Sequence, residues 1–199
     1  MSTRPAPLAP EPSAGSSRFL IRTARPKELA GIAHVLTDSF HSSNGLCRWM
    51  HPLFRLGIYE DLRARLRASG SYYICLVAIA LPTSESSQEV SSPAVGVVEM
   101  SLRPHSSWTT SCSQYLYLSN LAVSPPYRRQ GVASQLLLAC EEYAANWGFS
   151  ELYLHVLENN REGRRLYFKA GYRLHRAEPI LMLGLFPKPK RLLLRKCLN

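Results

Sequence analysis

The segment from residue 115 to residue 157 constrains the fold of this chain more than any other. Residues 115–123 have the composition of a strand, residues 131–147 carry apolar side chains at helical spacing, and residues 152–157 form a second strand. A strand, a helix and a strand in this order make a crossover, which places the two strands parallel. Two neighbouring strands must therefore run parallel inside a sheet that is otherwise antiparallel.

The remaining pattern predicts five more strands and three more helices. The strands are residues 19–23, 72–81, 94–102, 172–175 and 192–197. The helices are residues 27–40, 53–68 and 161–170, and the second has an apolar stripe of Leu56, Tyr59, Leu62 and Leu66. The fold class is therefore mixed α/β, or α+β, in the order β-α-α-β-β-β-α-β-α-β-β.

The length and the apolar content fit a single folded domain behind a short tail. The chain has 199 residues, of which 46% are apolar. Residues 1–17 are rich in Pro, Ala and Ser, so we expect a disordered tail and one domain over residues 18–199. The tail lacks the apolar segment of a secretory signal and contains Glu11, which is unusual in a transit peptide. We therefore expect a cytoplasmic protein, with the plastid stroma as the alternative.

The cysteines give no sign of a metal centre. The chain has five, and none belongs to a C-x-x-C pair, so neither a zinc site nor a disulfide framework is expected. Cys75 and Cys140 lie in apolar segments and are expected to be small buried residues. The longest apolar run, residues 74–81, is far shorter than the roughly 20 residues of a membrane span.

The chain is strongly basic. Its 24 Lys and Arg residues outnumber 14 Asp and Glu residues, which gives a net charge of +10. Such a charge predicts an anionic partner, and nucleic acid, a phosphate-rich cofactor and acidic proteins all fit.

A short motif between the first strand and the helix of the crossover suits a phosphate group. It reads Arg128-Arg129-Gln130-Gly131-Val132-Ala133. A helix N-terminus offers backbone N–H groups and the positive end of the helix dipole, and both attract phosphate. Gly131 and Ala133 keep the backbone approachable because they lack bulk. The motif is not a Walker A loop, since no Gly-Lys-Ser/Thr follows.

Two longer runs extend this motif and carry a family resemblance. Residues 120–133 read N-L-A-V-S-P-P-Y-R-R-Q-G-V-A, and residues 160–172 read N-R-E-G-R-R-L-Y-F-K-A-G-Y. They resemble the cofactor motif and the second motif of the GNAT superfamily of acetyl-CoA-dependent N-acetyltransferases. The chain is most similar to the short plastid and cyanobacterial-type proteins, which share a tail like residues 190–196. The resemblance implies a GNAT-like acyl-CoA N-acyltransferase fold, mostly antiparallel, with a splayed parallel strand pair that holds acetyl-CoA.

The resemblance also implies which residues bind acetyl-CoA. Strand backbone would pair with the pantetheine arm at Leu121, Ala122 and Val123. Backbone N–H groups would hold the pyrophosphate at Arg128, Arg129, Gln130, Gly131, Val132 and Ala133. Arg129 and Arg161 would face the adenosine phosphates. Asn160 would contact the pantetheine arm, and the adjacent Asn159 could instead cap the following helix.

The catalytic candidates combine the resemblance with strand alternation. Tyr167 matches the family tyrosine that contacts the leaving thiolate, and a phenol with a pKa near about 10 can donate to sulfur at neutral pH. Alternation places Tyr117 and His155 on one face of two adjacent strands, where they can flank an amine. In the N-terminal branch of the superfamily, a tyrosine and a histidine occupy these positions and act through water. Glu99 is the other candidate base, unless it is a surface residue of an edge strand.

This similarity favours a protein N-terminal α-amine as the acceptor, with the lysine ε-amine as a second activity. Two features depart from the N-terminal branch: residues 178–191 form a longer, proline-containing segment, and Gly163 replaces a common alanine. Acceptor contacts are expected from residues 41–49 and from Tyr172. The alternative functions are a small-molecule amine acetyltransferase and a basic nucleic-acid-binding module.

Overall fold

The computed structural model describes residues 18–40, 51–67, 70, 72–81, 93–104, 114–178 and 190–198. The expected disordered tail, residues 1–17, lies outside the described residues. So do the expected acceptor segment, residues 41–49, and most of the proline-containing segment that follows residue 178.

The order of helices and strands confirms the prediction. The strands are β1 (Phe19–Thr23), β2 (Tyr73–Ala80), β3 (Ala94–Pro104), β4 (Gln114–Val123), β5 (Glu151–Leu157), β6 (Arg173–Glu178) and β7 (Arg191–Cys197). The helices are α1 (Leu29–Phe40), α2 (His51–Arg67), α3 (Val132–Asn146) and α4 (Arg161–Lys169). In the described part of the chain, none of these helices is long and apolar enough to cross a membrane. Nor do the described residues include a group of three His, Cys, Asp or Glu placed to hold a metal ion.

The strands form one sheet in the order β1-β2-β3-β4-β5-β7-β6. The pair β4–β5 is parallel, and its register covers three positions, from Leu116 opposite Leu152 to Leu118 opposite Leu154. Strand β7 runs antiparallel to both β5 and β6. The predicted crossover and its parallel strand pair are therefore confirmed. Strand β6 extends to Glu178, three residues beyond the predicted end, because it pairs with β7 as far as Arg191.

The described residues divide into two compact units, of which unit 1 ends at residue 99 and also includes residues 120–136. Its core packs Ile32 of α1 and Leu62 of α2 against apolar strand residues such as Val97. The predicted stripe of α2 is wrong at Leu56, which is 57% exposed. Leu62, which is buried, lies six positions after Leu56, which places the two side chains about 120° apart around the helix. Cys75 is buried in this core, as expected.

Unit 2 comprises residues 100–119 and 137–199. Its buried face is built from alternate strand residues together with the second half of α3: Leu116, Leu118, Leu152, Leu154, Leu194, Leu137 and Cys140. Because strand residues alternate between faces, the residues between these leucines point to the opposite face. Tyr117, Tyr153 and His155 belong to that opposite face.

Strand β3 lies very close to the start of α3 within unit 1. A Cβ atom added at Gly96 would lie 2.8 Å from Val132 Cγ1 and 3.2 Å from Leu136 Cδ1. Ser124, just after β4, donates its N–H to the carbonyl of Val95 over 2.8 Å. Glycine at position 96 therefore allows the helix that follows the phosphate motif to pack directly on the strand.

We predict that Gly96→Ala lowers the free energy of unfolding by about 1–3 kcal/mol, because the new methyl group overpacks against a β-branched side chain. Urea denaturation measures this change. The control is Gly31→Ala in α1, where nothing lies within 4 Å of an added Cβ. We expect the control to raise the free energy of unfolding by up to about 1 kcal/mol, since alanine favours helix. Equal effects of the two substitutions would contradict this account of the packing.

Candidate active site

The phosphate motif forms a tight, internally bonded turn. Pro125–Tyr127 makes one 3₁₀ turn, after which Arg129 and Gly131 take left-handed backbone angles, with φ of 63° and 86°. The Arg128 Nε atom donates to the Val123 carbonyl over 3.0 Å, and the Gln130 Nε2 atom donates to the Pro126 carbonyl over 2.9 Å. These two side chains therefore hold the loop in shape.

The backbone of this turn suits an anion. The Gln135 N–H donates to the Gly131 carbonyl as the first helical bond of α3, so the N–H groups before it have no partner inside the helix. Left-handed residues within such a turn direct successive N–H groups toward one concave side. The Arg128 N–H was expected to bind the pyrophosphate, but it donates to the Pro125 carbonyl over 3.2 Å within the turn. The residues from 129 onward therefore fit a phosphate group better than Arg128 does.

Glu99 corrects one expectation. It lies on the interior strand β3 and is 1% exposed, so it is neither a surface residue nor on an edge strand. Its carboxylate accepts hydrogen bonds from Tyr73 Oη over 2.9 Å and from Asn120 Nδ2 over 2.5 Å, and Arg65 lies 3.4 Å away. Asn120 has a left-handed φ of 54°, which its bond to Glu99 helps to hold. The surroundings of Glu99 therefore suit a residue that holds Asn120 in its left-handed conformation rather than an accessible base.

Tyr117 and His155 come together as strand alternation predicts. Tyr117 is opposite Tyr153 in the parallel pair, and its hydroxyl lies 2.8 Å from His155 Nδ1. The other ring nitrogen, Nε2, lies 3.2 Å from the Oε2 atom of Glu178 on β6. A hydrogen-bonded chain of three side chains, Tyr117, His155 and Glu178, results; we call it the relay.

The partners of His155 fix its neutral tautomer. A carboxylate can only accept, so Nε2 carries the proton that Glu178 accepts. In the neutral ring Nδ1 is then unprotonated, and it accepts from the Tyr117 hydroxyl. Burial lowers the pKa of His155 below its usual value of 6.5, and the charge of Arg191 lowers it further, whereas Glu178 raises it. Burial raises the pKa of Tyr117, so this hydroxyl is protonated at neutral pH.

The sequence did not identify Glu178, nor two arginines that lie beside the relay. The guanidinium of Arg103 lies over the Tyr117 ring, 4.0 Å from the ring centroid. Arg191 is opposite both Leu157 and Glu178 in the register of β7. Arg103 stood in a predicted loop and Glu178 beyond a predicted strand end. Alternation along β6 could not have placed Glu178 on the face of His155, because the register of β6 shifts between Leu174 and Arg176.

Asn160 begins α4. Its Oδ1 atom accepts the Gly163 N–H over 2.9 Å, so the helix cap is Asn160 and not Asn159. A Cβ atom at position 163 would lie 2.9 Å from Asn160 Nδ2, which explains why glycine fits there. Arg161 lies exposed at the first position of the helix.

The second motif contains two tyrosines, Tyr167 and Tyr172, whose rings contact each other. Burial raises the pKa of Tyr167 to about 12, and the nearby Tyr117 contributes to the rise. Tyr167 therefore keeps its proton well above neutral pH. Tyr172 packs its ring against Tyr167, with centroids 6.0 Å apart, and is 0% exposed. The expected acceptor contact of Tyr172 is therefore wrong, because a fully buried side chain cannot touch an acceptor.

Comparison with known proteins decides the family. The model of the acetyltransferase (GNAT) family matches residues 47–172 of the chain. The chain belongs to the GNAT acetyltransferase family. This GNAT protein is therefore an acetyl-CoA-dependent N-acetyltransferase, as the resemblance of its two motifs implied.

The relatives of this GNAT protein include plant and animal enzymes. It is 33% identical over 174 residues to GCN5-related N-acetyltransferase 10, chloroplastic, of Arabidopsis thaliana, which covers 85% of the chain and 67% of the relative. It is 32% identical over 108 residues to thialysine N-epsilon-acetyltransferase of Mus musculus, covering 54% of the chain and 60% of that relative. The chain thus spans about two thirds or less of their length.

A solved structure confirms the fold class. The crystal structure of Arabidopsis thaliana NAA60 in complex with a bisubstrate analogue has a TM-score of 0.65 to this GNAT protein at 18% identity. The match covers 91% of this chain and 98% of that chain.

We predict that Gly131→Glu abolishes acetyl-CoA binding, because the turn can no longer take a positive φ without strain and the new carboxylate repels phosphate. The matched control is Gly148→Glu at the other end of α3. Gly148 has a similar φ of 81°, and an added Cβ meets nothing within 4 Å at either position. Both variants should lose similar stability in thermal unfolding, and calorimetry should detect lost acetyl-CoA affinity only in Gly131→Glu. Equal affinities would exclude a phosphate site in this turn.

Proposed function

We propose that this GNAT protein transfers the acetyl group of acetyl-CoA to the N-terminal α-amine of proteins, with the lysine ε-amine as a second, slower acceptor. The observation that carries the proposal is the relay, in which Tyr117 and His155 are 2.8 Å apart and His155 is 3.2 Å from Glu178. Amine acetylation requires a group that removes a proton from the attacking nitrogen. The relay supplies such a group.

The proton of the attacking amine is removed by transfer along the relay. As the amine nitrogen bonds to the acetyl carbon, its proton moves to the Tyr117 oxygen, directly or through one water. The Tyr117 hydroxyl proton moves to His155 Nδ1, and Glu178 stabilises the imidazolium that forms. His155 and Glu178 act here as the histidine and the carboxylate of a catalytic triad do, with Glu178 as a positioning residue, but the Tyr117 oxygen accepts the amine proton and does not attack the acetyl carbon.

Tyr167 is suited to the other proton transfer. Bound acetyl-CoA supplies the acetyl group as a thioester, whose sulfur leaves with the electrons of the broken bond. Because the pKa of Tyr167 is raised to about 12, its hydroxyl is protonated and can donate to that sulfur.

The cofactor would be held by the elements that the sequence motif indicates. The N–H groups of residues 129–133 would bind the pyrophosphate at the start of α3, where the helix dipole adds positive charge. The end of β4 would bind the pantetheine arm through the backbone of Leu121, Ala122 and Val123. Asn160 can serve both as the cap of α4 and as a contact for that arm, because its Nδ2 hydrogens remain after Oδ1 accepts from Gly163.

The low pKa of His155 favours an α-amine. At pH 7.5 about a third of α-amines but only about one in a thousand lysine ε-amines are neutral, since their reference pKa values are near 7.8 and 10.4. A weakly basic histidine deprotonates an α-ammonium group more readily than an ε-ammonium group. The charges of Arg103 and Arg191, which lower the pKa of His155, also disfavour a second cation beside it.

A plastid is the compartment that the relatives favour. The Arabidopsis relative, matched over 85% of the chain, is named chloroplastic. We propose the plastid stroma in preference to the cytoplasm.

Three acceptors separate the candidate functions. The first is a peptide with a free N-terminus and no lysine, the second is the same peptide with a blocked N-terminus and one lysine, and the third is thialysine. Thialysine represents the small-molecule alternative, because it is the acceptor named for the mouse relative. We predict that the free N-terminus gives a kcat/KM at least about 10-fold above the blocked peptide, because its neutral fraction is larger by roughly two orders of magnitude. A higher kcat/KM for thialysine than for either peptide would overturn the protein-acceptor proposal.

The relay predicts a specific pH behaviour. We expect the His155 ring to titrate below pH 6.5 in histidine NMR spectra, with its resonance assigned by loss in His155→Phe. Glu178→Gln should lower that pKa further, because the carboxylate stabilises the protonated ring. The unprotonated form is the base, so turnover should fall as the pH drops through the same value.

His155→Phe and Tyr117→Phe should each reduce turnover about 10²-fold or more, the usual size of a general-base contribution. Calorimetric affinity for acetyl-CoA should hardly change in either variant, since neither residue belongs to the phosphate motif or to the backbone expected to bind the pantetheine arm. A wild-type pH profile in His155→Phe, or an unshifted ring titration in Glu178→Gln, would remove the relay from the mechanism.

A further inference from the structure

The face of unit 2 that carries the relay is rich in arginine. The guanidinium of Arg103 covers the Tyr117 ring, and both Arg103 and Arg191 are exposed. His155 is opposite Leu193, and Arg191 lies two positions before Leu193 on β7, so Arg191 is on the same sheet face as His155. Two cationic side chains therefore flank the point where the relay meets an amine.

Three further arginines belong to this face, and Arg176 among them is opposite Leu193 in the register of β6. Arg195 lies 3.1 Å from the Glu151 carboxylate, and Arg173 donates to the carbonyls of Phe168 and Tyr172. Glu178 is the acidic residue next to the relay, and its carboxylate is bonded to His155. The charges of Arg191 and Arg103 lower the pKa of His155, whereas the charge and the hydrogen bond of Glu178 raise it. Among the described residues beside the relay, the two positive charges of Arg103 and Arg191 outnumber the one negative charge of Glu178.

Arginine pairs are well suited to bind carboxylates. A guanidinium presents its donors in a planar fork that matches the two oxygens of Asp or Glu, and it keeps its charge at every working pH. Stacking of Arg103 on Tyr117 occupies one flat face of the guanidinium, while its N–H groups lie at the edge and can still donate. A basic acceptor segment would meet repulsion at the same place.

We propose that the acceptors of this enzyme are polypeptides with an acidic N-terminal segment, whose Asp or Glu carboxylates are bound by Arg103 and Arg191 while the relay acts on the α-amine. This inference rests on the proposed function and adds the chemical class of the acceptor. The carboxylate also offsets the repulsion between the arginines and any amine that arrives protonated.

The test compares three peptides that share a free N-terminal serine and differ at the next two positions, which are Asp-Asp, Asn-Asn or Lys-Lys. The full chain is assayed with saturating acetyl-CoA, and CoA release gives kcat/KM. We expect Asp-Asp to exceed Asn-Asn by about 10-fold in low salt, and Lys-Lys to fall below Asn-Asn. The preference should shrink as salt shortens the screening length below about 10 Å.

Three variants assign the preference to particular side chains. Arg103→Gln and Arg191→Gln should each reduce the ratio of Asp-Asp to Asn-Asn, whatever they do to absolute turnover. Arg191→Lys should retain part of the ratio because it keeps the charge without the fork. The matched control is Arg18→Gln, the same charge change at an exposed residue just before β1, and it should leave the ratio unchanged.

The outcomes separate this inference from the proposed function. Equal kcat/KM for the three peptides would overturn the acidic preference while supporting α-amine acetylation. An acidic preference that survives both arginine variants would overturn the assignment to Arg103 and Arg191. Acetylation of none of the peptides would overturn the proposed function and the inference with it.

Discussion

Three parallel residue pairs between β4 and β5 set the positions of the groups that can move protons. The pairing of Tyr117 with Tyr153 places the Tyr117 hydroxyl within reach of His155, two residues farther along β5. The antiparallel register of β7 against β5 and β6 then brings Glu178 to the same ring. A slip of one residue in either register would move these side chains to the opposite face of the sheet. The relay is therefore a consequence of strand register.

Glu99 and Glu178 have the same side chain, but their different surroundings suit them to different roles. Glu99 is buried under three polar partners, which suits it to hold the left-handed Asn120 near the end of β4. Glu178 is partly exposed and bonds to His155, whose charge it can stabilise. A buried carboxylate needs its partners to compensate for lost hydration, so Glu99 is held by them. A partly exposed carboxylate such as Glu178 can stabilise the positive charge of His155 when the ring is protonated.

Much of the fold and part of the site could be predicted from local pattern. The crossover, the order of elements and the meeting of Tyr117 with His155 follow from period-two and helical spacing within short segments. The sequence left Asn159 open as the cap of α4, which is Asn160, and it placed Leu56 on the wrong side of α2, because spacing alone does not decide such positions. Tyr172 was expected at the acceptor, but the packing of unit 2 buries it completely.

The sequence by itself determined the strand-loop-helix unit, the phosphate motif and the family, because these depend on residues close together along the chain. Only the tertiary structure decided the surroundings of His155. Arg103, Glu178 and Arg191 lie 52, 23 and 36 positions away from it, on three different strands. Their effects on the ionisation of His155 depend on distance through space and on burial, and neither quantity exists until the sheet has formed.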